Sequence, residues 1–298
     1  MKNEIQLIIN SRTKDIGIPV RRILPWMKKR MVGPFIFLDH MGPVFLKAPD
    51  DQVDVRAHPH IGLSTLTYLF EGSLLHRDSL GSTQLILPGE VNWMTAGKGI
   101  SHSERESVDA RKKDRSIHGL QFWVALPKAF EDVDPSFHHY EKSDIPEFKT
   151  ESLDINLVAG SALGFSSKLH AYSPLIFMVM RGFKEGSFSF EEKGHEHALY
   201  VVKGEITMNG TVYQEGQMIV MQDDSAIELQ HSSDVVLALI GGEAFPEKRY
   251  IWWNLVSSSM EKIEMAKKAW IDGSFPMVPG DDEKIPLPEE PVKVPDYP

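Results

Sequence analysis

Residues 63–72 read Leu-Ser-Thr-Leu-Thr-Tyr-Leu-Phe-Glu-Gly, and residues 198–204 read Ala-Leu-Tyr-Val-Val-Lys-Gly. Each segment is rich in β-branched and aromatic residues and ends at a charged residue followed by glycine. That pattern predicts a strand followed by a tight turn. When Gly72 is placed over Gly204, the chain divides into two halves of similar length, which predicts a duplicated β domain.

Other short strands are predicted in both halves, with turn residues at intervals of about ten residues. They cover residues 84–88, 91–94, 205–208, 212–213 and 218–221. Asn209-Gly210 is typical of a two-residue hairpin turn. Many short strands with frequent turns are typical of antiparallel sandwiches and barrels. We therefore predict an all-β chain with two tandem barrels.

The match between the halves suggests four segments along the chain. Ser258 to Glu261 has the pattern of a capping box, and Ile263, Ala266 and Trp270 follow at helical spacing. The last 18 residues hold five prolines and six acidic residues, which predicts an extended tail. We predict an N-terminal barrel over 1–130, a linker over 131–150, a C-terminal barrel over 151–255, and a helix with a proline-rich tail over 256–298.

Composition excludes several classes of function. The chain of 298 residues has no cysteine, which excludes disulfides, thiolate metal sites and cysteine nucleophiles. A formal net charge of −10 argues against direct nucleic-acid binding, because phosphate backbones are bound through Lys and Arg. The N-terminus lacks a signal-peptide pattern, and no apolar run reaches the roughly 18 residues of a membrane span. We expect a soluble, cytoplasmic protein.

Two triplets stand out among the twelve histidines: His58-Pro59-His60 and His102-Ser103-Glu104. Residues i and i+2 of a strand point to the same face, so each triplet presents two potential ligands in one direction. Two such strands facing each other inside a barrel would surround one point with three imidazoles and a carboxylate. That set suits iron, manganese, nickel or copper better than calcium or magnesium. The alternative, for either pair alone, is a solvated or hydrogen-bonded pair.

With these motifs the chain resembles the pirin family of the cupin superfamily over nearly its whole length. The resemblance is carried by residues 33–40, 42–43, 58–62, 66–72, 89–97, 99–104, 118–127, 273–275, 279–280 and 285–288. It implies two tandem cupin barrels, each a double-stranded β-helix or jelly roll, with a short C-terminal helix and an extended tail. It also implies that the N-terminal barrel binds iron through His58, His60, His102 and Glu104.

The resemblance implies a cofactor and an activity as well. One divalent transition metal is expected, with Fe(II) first and Mn, Ni, Co or Cu as alternatives. Some pirins show quercetin 2,3-dioxygenase activity, which implies O2-dependent cleavage of a flavonol or a related enediol. Glu104 would then be both a ligand and the catalytic acceptor of the substrate's proton. The alternative is a metal-dependent regulatory protein, acting on a protein partner as a transcription cofactor or as a modulator of a metabolic enzyme.

The second half offers a weaker candidate for metal binding. His195-Glu196-His197 repeats the spacing of the first triplet. In the alignment through the shared glycine, however, Phe190 and Glu192 correspond to positions 58 and 60. The resemblance also implies that the second barrel lacks a metal. We therefore expect no tight site there.

Five further residues are assigned roles. His40 and His118 are expected to brace the barrels through hydrogen bonds rather than to bind a metal. Trp93 and Trp123 are predicted to lie in the core or in the pocket wall. Ser64 stands where many pirins have glutamate, so we expect the polarity of the pocket to differ while the metal is still bound.

Overall fold

The computed structural model describes residues 4–49 and 53–289. Most of the described chain is β-strand, with one α-helix and three short 3-10 turns at Ala110–Lys112, Lys128–Phe130 and Lys142–Asp144. None of the helices in these ranges has the length and apolarity that would let it cross a membrane. The all-β prediction is confirmed.

The strands are numbered in chain order. The first thirteen are β1 (Ile5–Asn10), β2 (Arg12–Asp15), β3 (Pro19–Leu24), β4 (Phe35–Leu46), β5 (Asp54–His60), β6 (Leu63–Glu71), β7 (Leu74–Asp78), β8 (Thr83–Ile86), β9 (Val91–Thr95), β10 (Ile100–Arg105), β11 (Arg115–Ala125), β12 (Ser136–Tyr140) and β13 (Glu147–Lys149). The others are β14 (Leu153–Ala159), β15 (Ser161–Ala162), β16 (Phe165–Ser166), β17 (Leu175–Gly182), β18 (Gly186–Phe190), β19 (Glu196–Lys203), β20 (Glu205–Met208), β21 (Thr211–Gln214), β22 (Gln217–Met221), β23 (Ile227–His231), β24 (Val236–Gly242), β25 (Tyr250–Trp252) and β26 (Leu255–Ser257).

The chain forms two compact units, each assembled from separate stretches of sequence. The N-terminal unit contains residues 14–20, 41–49, 53–139 and 246–289, and the C-terminal unit contains residues 4–13, 21–40 and 140–245. The segment predicted as a linker, 131–150, contains β12 and β13. The predicted division of the chain into four segments stays a prediction.

Strand order repeats from one unit to the other. The N-terminal unit has a four-stranded sheet in the order β5-β10-β7-β8 and a larger sheet that includes β9-β6-β11. The C-terminal unit has a four-stranded sheet in the order β18-β23-β20-β21 and a larger one in the order β1-β22-β19-β24-β17-β14-β13. Every strand of the first pattern has its counterpart thirteen places later in the second. The predicted duplication, and with it the two-barrel cupin fold, is confirmed.

The C-terminal unit is filled by apolar side chains. Alternate residues of its central strands, such as Leu199 and Val201 of β19, are fully buried in one cluster. That cluster also holds Leu237 and Leu239 of β24. Burying this much apolar surface is the main source of its stability. The predicted hairpin at residues 209–210 is confirmed, because Met208 pairs with Thr211 across it.

The C-terminal helix, α1 (Met260–Asp272), buries Ile263, Ala266 and Trp270 as their spacing predicts. The predicted capping box is wrong. The residue before the helix is Ser259, whose side chain makes no capping hydrogen bond. The hydroxyl of Ser258 instead donates to the buried carboxylate of Glu131 at 2.9 Å, so it is not available to cap the helix.

The described part of the predicted tail is held against the N-terminal unit. Asp281 accepts two hydrogen bonds from Arg105, at 2.9 and 2.7 Å, in a bidentate ion pair. The indole of Trp270 donates to the carbonyl of Ile285 at 2.9 Å. Residues 290–298 of the predicted tail lie outside the described residues.

Candidate metal centre

The two triplets lie side by side on neighbouring strands. Strands β5 and β10 are paired antiparallel with His58 directly opposite His102. Opposite residues of an antiparallel pair point to the same face, and so does His60, two residues along β5. The prediction that the triplets converge is therefore supported by the pairing, but the strands are hydrogen-bonded neighbours and do not face each other across a barrel.

The three imidazoles converge on one point. One nitrogen from each of His58, His60 and His102 lies within 4.8 Å of the other two, and all three side chains are buried. The Nε2 atoms of His60 and His102 are 3.1 Å apart. The opposite nitrogens of the β5 histidines contact backbone carbonyls: Nδ1 of His58 lies 2.8 Å from Arg56 O, and Nδ1 of His60 lies 3.0 Å from Asn254 O. Such outer hydrogen bonds fix the ring orientation of metal-binding histidines.

The third imidazole has a different outer partner. Nδ1 of His102 lies 3.4 Å from Nδ1 of His76, whose Nε2 lies 3.1 Å from Asp78 Oδ2. The Asp78 carboxylate also accepts hydrogen bonds from the backbone N–H groups of Leu80 and Ser82, at 2.9 and 3.0 Å. Through His76, the His102 ring is therefore linked to the buried carboxylate of Asp78, whose position is fixed by hydrogen bonds.

The fourth predicted ligand, Glu104, follows His102 by two residues on β10 but does not belong to the close group. The pairing of β10 with β5 shifts between His102 and Glu104, so Glu104 pairs with Val55. A shift of this kind turns a side chain away from the regular alternation. The Glu104 carboxylate instead accepts a hydrogen bond from the Thr67 hydroxyl at 3.0 Å.

Thr67 also contacts Gln121, whose side-chain oxygen lies 2.8 Å from the same hydroxyl. A hydroxyl has one proton and cannot donate to both groups. The conflict disappears when the Gln121 amide is turned so that its nitrogen donates to Thr67, which then donates to Glu104. Together these side chains form a short polar relay that ends at the carboxylate.

Burial sets the charge of the site. It lowers the pKa of His58 to about 4 and lowers the pKa values of His60 and His102 well below the ordinary value. Neighbouring histidines lower the pKa values of these rings further. Burial raises the pKa of Glu104. Neutral imidazoles are the form that binds metal ions.

The donor set fits a divalent transition metal. Three neutral imidazole nitrogens at one point suit borderline ions such as Fe(II), Ni(II) or Zn(II), and are too nitrogen-rich for calcium or magnesium. The outer contacts to Arg56 O, Asn254 O and His76 leave one nitrogen of each ring for the ion. His58, His60 and His102 could therefore hold a metal ion, with Glu104 as a nearby carboxylate.

The remaining predicted residues have clear places in their own units. The ring of Trp123 packs edge-on against His60 with centroids 5.2 Å apart, and Trp93 is buried. Nδ1 of His40 lies 2.8 Å from the hydroxyl of Tyr200, which supports a bracing role for His40. His118 is buried against the ring of Phe70.

Ser64 has a different position from the one that the sequence suggested. It lies on β6 three residues before Thr67, so alternation puts the two side chains on opposite faces. Its hydroxyl lies 3.0 Å from that of Thr95. Thr67 is the residue that contacts Glu104, so the structure gives no support to an effect of Ser64 on the pocket's polarity.

Sequence reasoning missed His76, Asp78, Thr67 and Gln121. A signal existed for the first two, because His76-Arg77-Asp78 has the same i, i+2 spacing as the two predicted triplets and falls on β7. No local pattern marks Thr67 or Gln121. Their role depends on the pairing of β6 with β11, which places them opposite each other.

Comparisons with known proteins agree with this geometry. The Pirin family description matches residues 17–124, and the description of the pirin C-terminal cupin domain matches residues 177–276. A pirin-like protein of Caulobacter vibrioides is 44% identical over 289 residues, which is 96% of this chain and 100% of the relative. A Pseudomonas aeruginosa protein named "Putative quercetin 2,3-dioxygenase PA1205" is 35% identical and covers 89% of this chain and 83% of its own.

Solved structures show the same likeness. The crystal structure of quercetin 2,3-dioxygenase from Acinetobacter baumannii superposes with a TM-score of 0.88 at 34% identity. The match covers 98% of this chain and 96% of the other. Sequence identity of this extent, the two matching family descriptions and the repeated strand order all lead to one conclusion. The chain belongs to the pirin family.

Proposed function

We propose that this protein is a metal-dependent dioxygenase that cleaves a flavonol such as quercetin, or a related enediol, with O2. The observation that carries the proposal is the convergence of three buried imidazole nitrogens from His58, His60 and His102. The other nitrogen of each ring contacts a backbone carbonyl or His76, which fixes the orientation of the ring. The likeness to proteins named as quercetin 2,3-dioxygenases supports it.

We propose Fe(II) as the bound ion, with Glu104 as the fourth ligand beside the three histidines. A redox-active ion with open coordination positions supplies the affinity for O2 and for the substrate's oxygen atoms that such cleavage requires. Three neutral imidazoles and one carboxylate leave a divalent ion with net positive charge. The site therefore attracts the anionic form of a flavonol.

The protein's own groups prepare the substrate. Glu104 accepts the proton of the flavonol hydroxyl, since it is a buried carboxylate two residues from His102 on β10. The Thr67 hydroxyl orients that carboxylate through the 3.0 Å hydrogen bond. Trp123, packed against His60, provides an aromatic wall beside the site. The overall reaction consumes one flavonol and one O2, cleaves two C–C bonds of the heterocycle, and releases carbon monoxide and the ring-opened ester.

The test is turnover of quercetin by protein stripped of metal and reloaded with Fe(II). We expect loss of flavonol absorbance, O2 uptake and carbon monoxide release in equal amounts, and none of these with the apoprotein. Zinc-loaded protein is a matched control, since zinc fills such sites without a redox change. It should bind quercetin without cleaving it.

A second variant separates proton transfer from metal binding. Glu104→Gln should keep part of the iron but lose most of the rate, because an amide cannot accept the proton. Cleavage by the apoprotein at the rate of the iron-loaded protein would overturn the proposal. If iron-loaded protein binds the metal but cleaves no flavonol or enediol, the enzymatic function is wrong and a metal-dependent regulatory role becomes the explanation.

A further inference from the structure

The C-terminal unit contains a second group of potential metal ligands within six residues of sequence. One ligand atom from each of Glu192, His195 and His197 lies within 4.8 Å of the other two. Glu192 and His195 precede β19, and His197 is its second residue. In the alignment of the two halves through Gly72 and Gly204, Glu192 occupies the position of His60.

The two imidazoles have nitrogens without a hydrogen-bond partner. Among residues 4–49 and 53–289, no group hydrogen-bonds to Nε2 of His197 or Nδ1 of His195, and both atoms are buried. His197 is only 2% exposed. Nδ1 of His195 lies 3.4 Å from Glu192 Oε1 without a hydrogen bond between them. Buried polar atoms that lack a partner in the protein are candidates for binding an ion or a water molecule.

The intervening residue does not compete for the group. Glu196 points to the other side of the strand, where its carboxylate accepts a hydrogen bond from the backbone N–H of Gly33 at 2.7 Å and pairs with Lys29. Its two histidine neighbours are therefore left facing the same point as Glu192. The charge that remains in the group is the single carboxylate of Glu192.

The backbone around the group is shaped to hold it. His197 pairs with Gly241 of β24, and a Cβ atom added at Gly241 would lie 2.5 Å from the His197 ring. Only glycine lets the ring lie so close to that strand. On the other side, the turn at Gly194 is fixed by a 2.7 Å hydrogen bond from its N–H to Asp224 Oδ1.

The group is accessible from the surface of its own unit. Glu192 and His195 line a cavity of about 460 Å³, together with His170 and Tyr172. The Glu192 side chain is 30% exposed and that of His195 is 13% exposed, so an ion can enter from solvent without rearrangement of the core. This exposure distinguishes the group from the fully buried histidines of the N-terminal unit.

We propose that Glu192, His195 and His197 form a second site for a borderline divalent cation such as Co(II), Ni(II) or Zn(II). Two imidazole nitrogens and one carboxylate oxygen form a donor set that these ions prefer over calcium and magnesium. The ion completes the coordination with water from the cavity. With three ligands at a partly exposed position, this site binds more weakly than the first, and the expectation of one tightly held metal per chain is retained.

The experiment is a Co(II) titration of the full-length protein, followed by visible absorption and by metal content after gel filtration. The double variant His58→Ala, His60→Ala disables the first site, so its remaining Co(II) binding reports the second. We expect one equivalent there. Adding His195→Ala and His197→Ala should weaken that binding by more than about tenfold, since removing ligands costs more than removing an outer partner. Adding His138→Ala, at an exposed position of β12, should leave it unchanged.

Glu192→Gln guards against misfolding, because it keeps the size of a partly exposed side chain and removes only the charge. In the same first-site background it should also weaken Co(II) binding by about tenfold or more while the circular dichroism spectrum stays the same. The proposal is overturned if the first-site variant binds no Co(II). It is equally overturned if that binding survives the loss of both His195 and His197. Neither outcome bears on the dioxygenase proposal, whose residues lie in the other unit.

Discussion

The two barrels have the same strand order, but polar side chains occupy positions in the first where the second has apolar ones. In the N-terminal unit, β5 and β10 place His58 opposite His102. In the C-terminal unit, the equivalent strands β18 and β23 place Phe190 opposite Ile227. The alignment through Gly72 and Gly204 makes Phe190 equivalent to His58, and the pairing of β18 with β23 places an apolar residue opposite it. One architecture thus holds candidate metal ligands at a position where its duplicate holds an apolar core residue.

The contrast extends to the larger sheets. Thr67 of β6 lies opposite Asn92 and Gln121, all on the face that contacts Glu104. The residue equivalent to Thr67 is Leu199, which is fully buried in the apolar cluster of the second barrel. Buried polar groups must be hydrogen-bonded and contribute little net stability, whereas buried leucines contribute directly. We infer that the first barrel carries the chemistry and the second contributes more to stability.

The largest expected effect is loss of the metal from the first barrel. His102→Ala removes one of the three converging nitrogens and the link to both His60 and His76. Metal content after purification, measured by elemental analysis, should fall more than about tenfold below that of the wild type. His138→Ala is the matched control and should keep full metal content. Retention of the metal by His102→Ala would show that the ligand set is wrong.

The second barrel should be sensitive to cavities and not to metal. Leu239→Ala, at a fully buried position of β24, should lower the free energy of unfolding by about 2–5 kcal/mol. Urea denaturation measures this, and the metal content of the first barrel should not change. Val212→Ala, at a half-exposed position of β21, should stay within about 0.5 kcal/mol of the wild type. A loss as small as that of Val212→Ala would contradict the role assigned to this core.

A smaller effect is expected from the outer partner of His102. His76→Phe keeps an aromatic ring stacked on Phe137, at a centroid distance of 4.3 Å in the wild type, but removes the nitrogen that contacts His102. Competition with a chelator should show metal affinity about 10–100-fold lower. Phe137→Leu removes the stacking and leaves the nitrogen in place, so its effect should be smaller. If His76→Phe and the wild type bind the metal with equal affinity, His76 has no role in metal binding.

Much of the fold could be predicted from local patterns. Strand periodicity, the glycines that follow β6 and β19, and the hairpin at residues 209–210 depend on neighbouring residues, so a single sequence reveals them. The prediction of a capping box was wrong because the Ser258 hydroxyl is hydrogen-bonded to Glu131, which is 127 residues away along the chain. A pattern of four residues contains no information about such a distant partner.

The candidate site also has features that local sequence predicts and features that depend on distant residues. His58, His60 and His102 could be identified because their spacing is local and because the chain resembles a known family. The shift in pairing that separates Glu104 from the close group could not, since it depends on how β10 meets β5. Likewise, Glu192, His195 and His197 come together because of a turn before β19. Strand periodicity does not predict the geometry of that turn.

The smallest expected effect concerns the polar relay from Gln121 through Thr67 to Glu104, which has an apolar residue, Leu199, at the equivalent position of Thr67 in the second barrel. Thr67→Val keeps the shape of a side chain that is 2% exposed but removes the hydroxyl that donates to Glu104 and contacts Gln121. Losing one hydrogen bond of this kind costs about 1 kcal/mol, or roughly fivefold in rate. We expect kcat for quercetin to fall by that factor while iron content stays at the wild-type level, because the three histidines are untouched. Thr67→Ser restores the hydroxyl without the methyl group and should recover most of the rate. If Thr67→Ser is as slow as Thr67→Val, the methyl group and its packing control Glu104, and the polar relay has no part in catalysis.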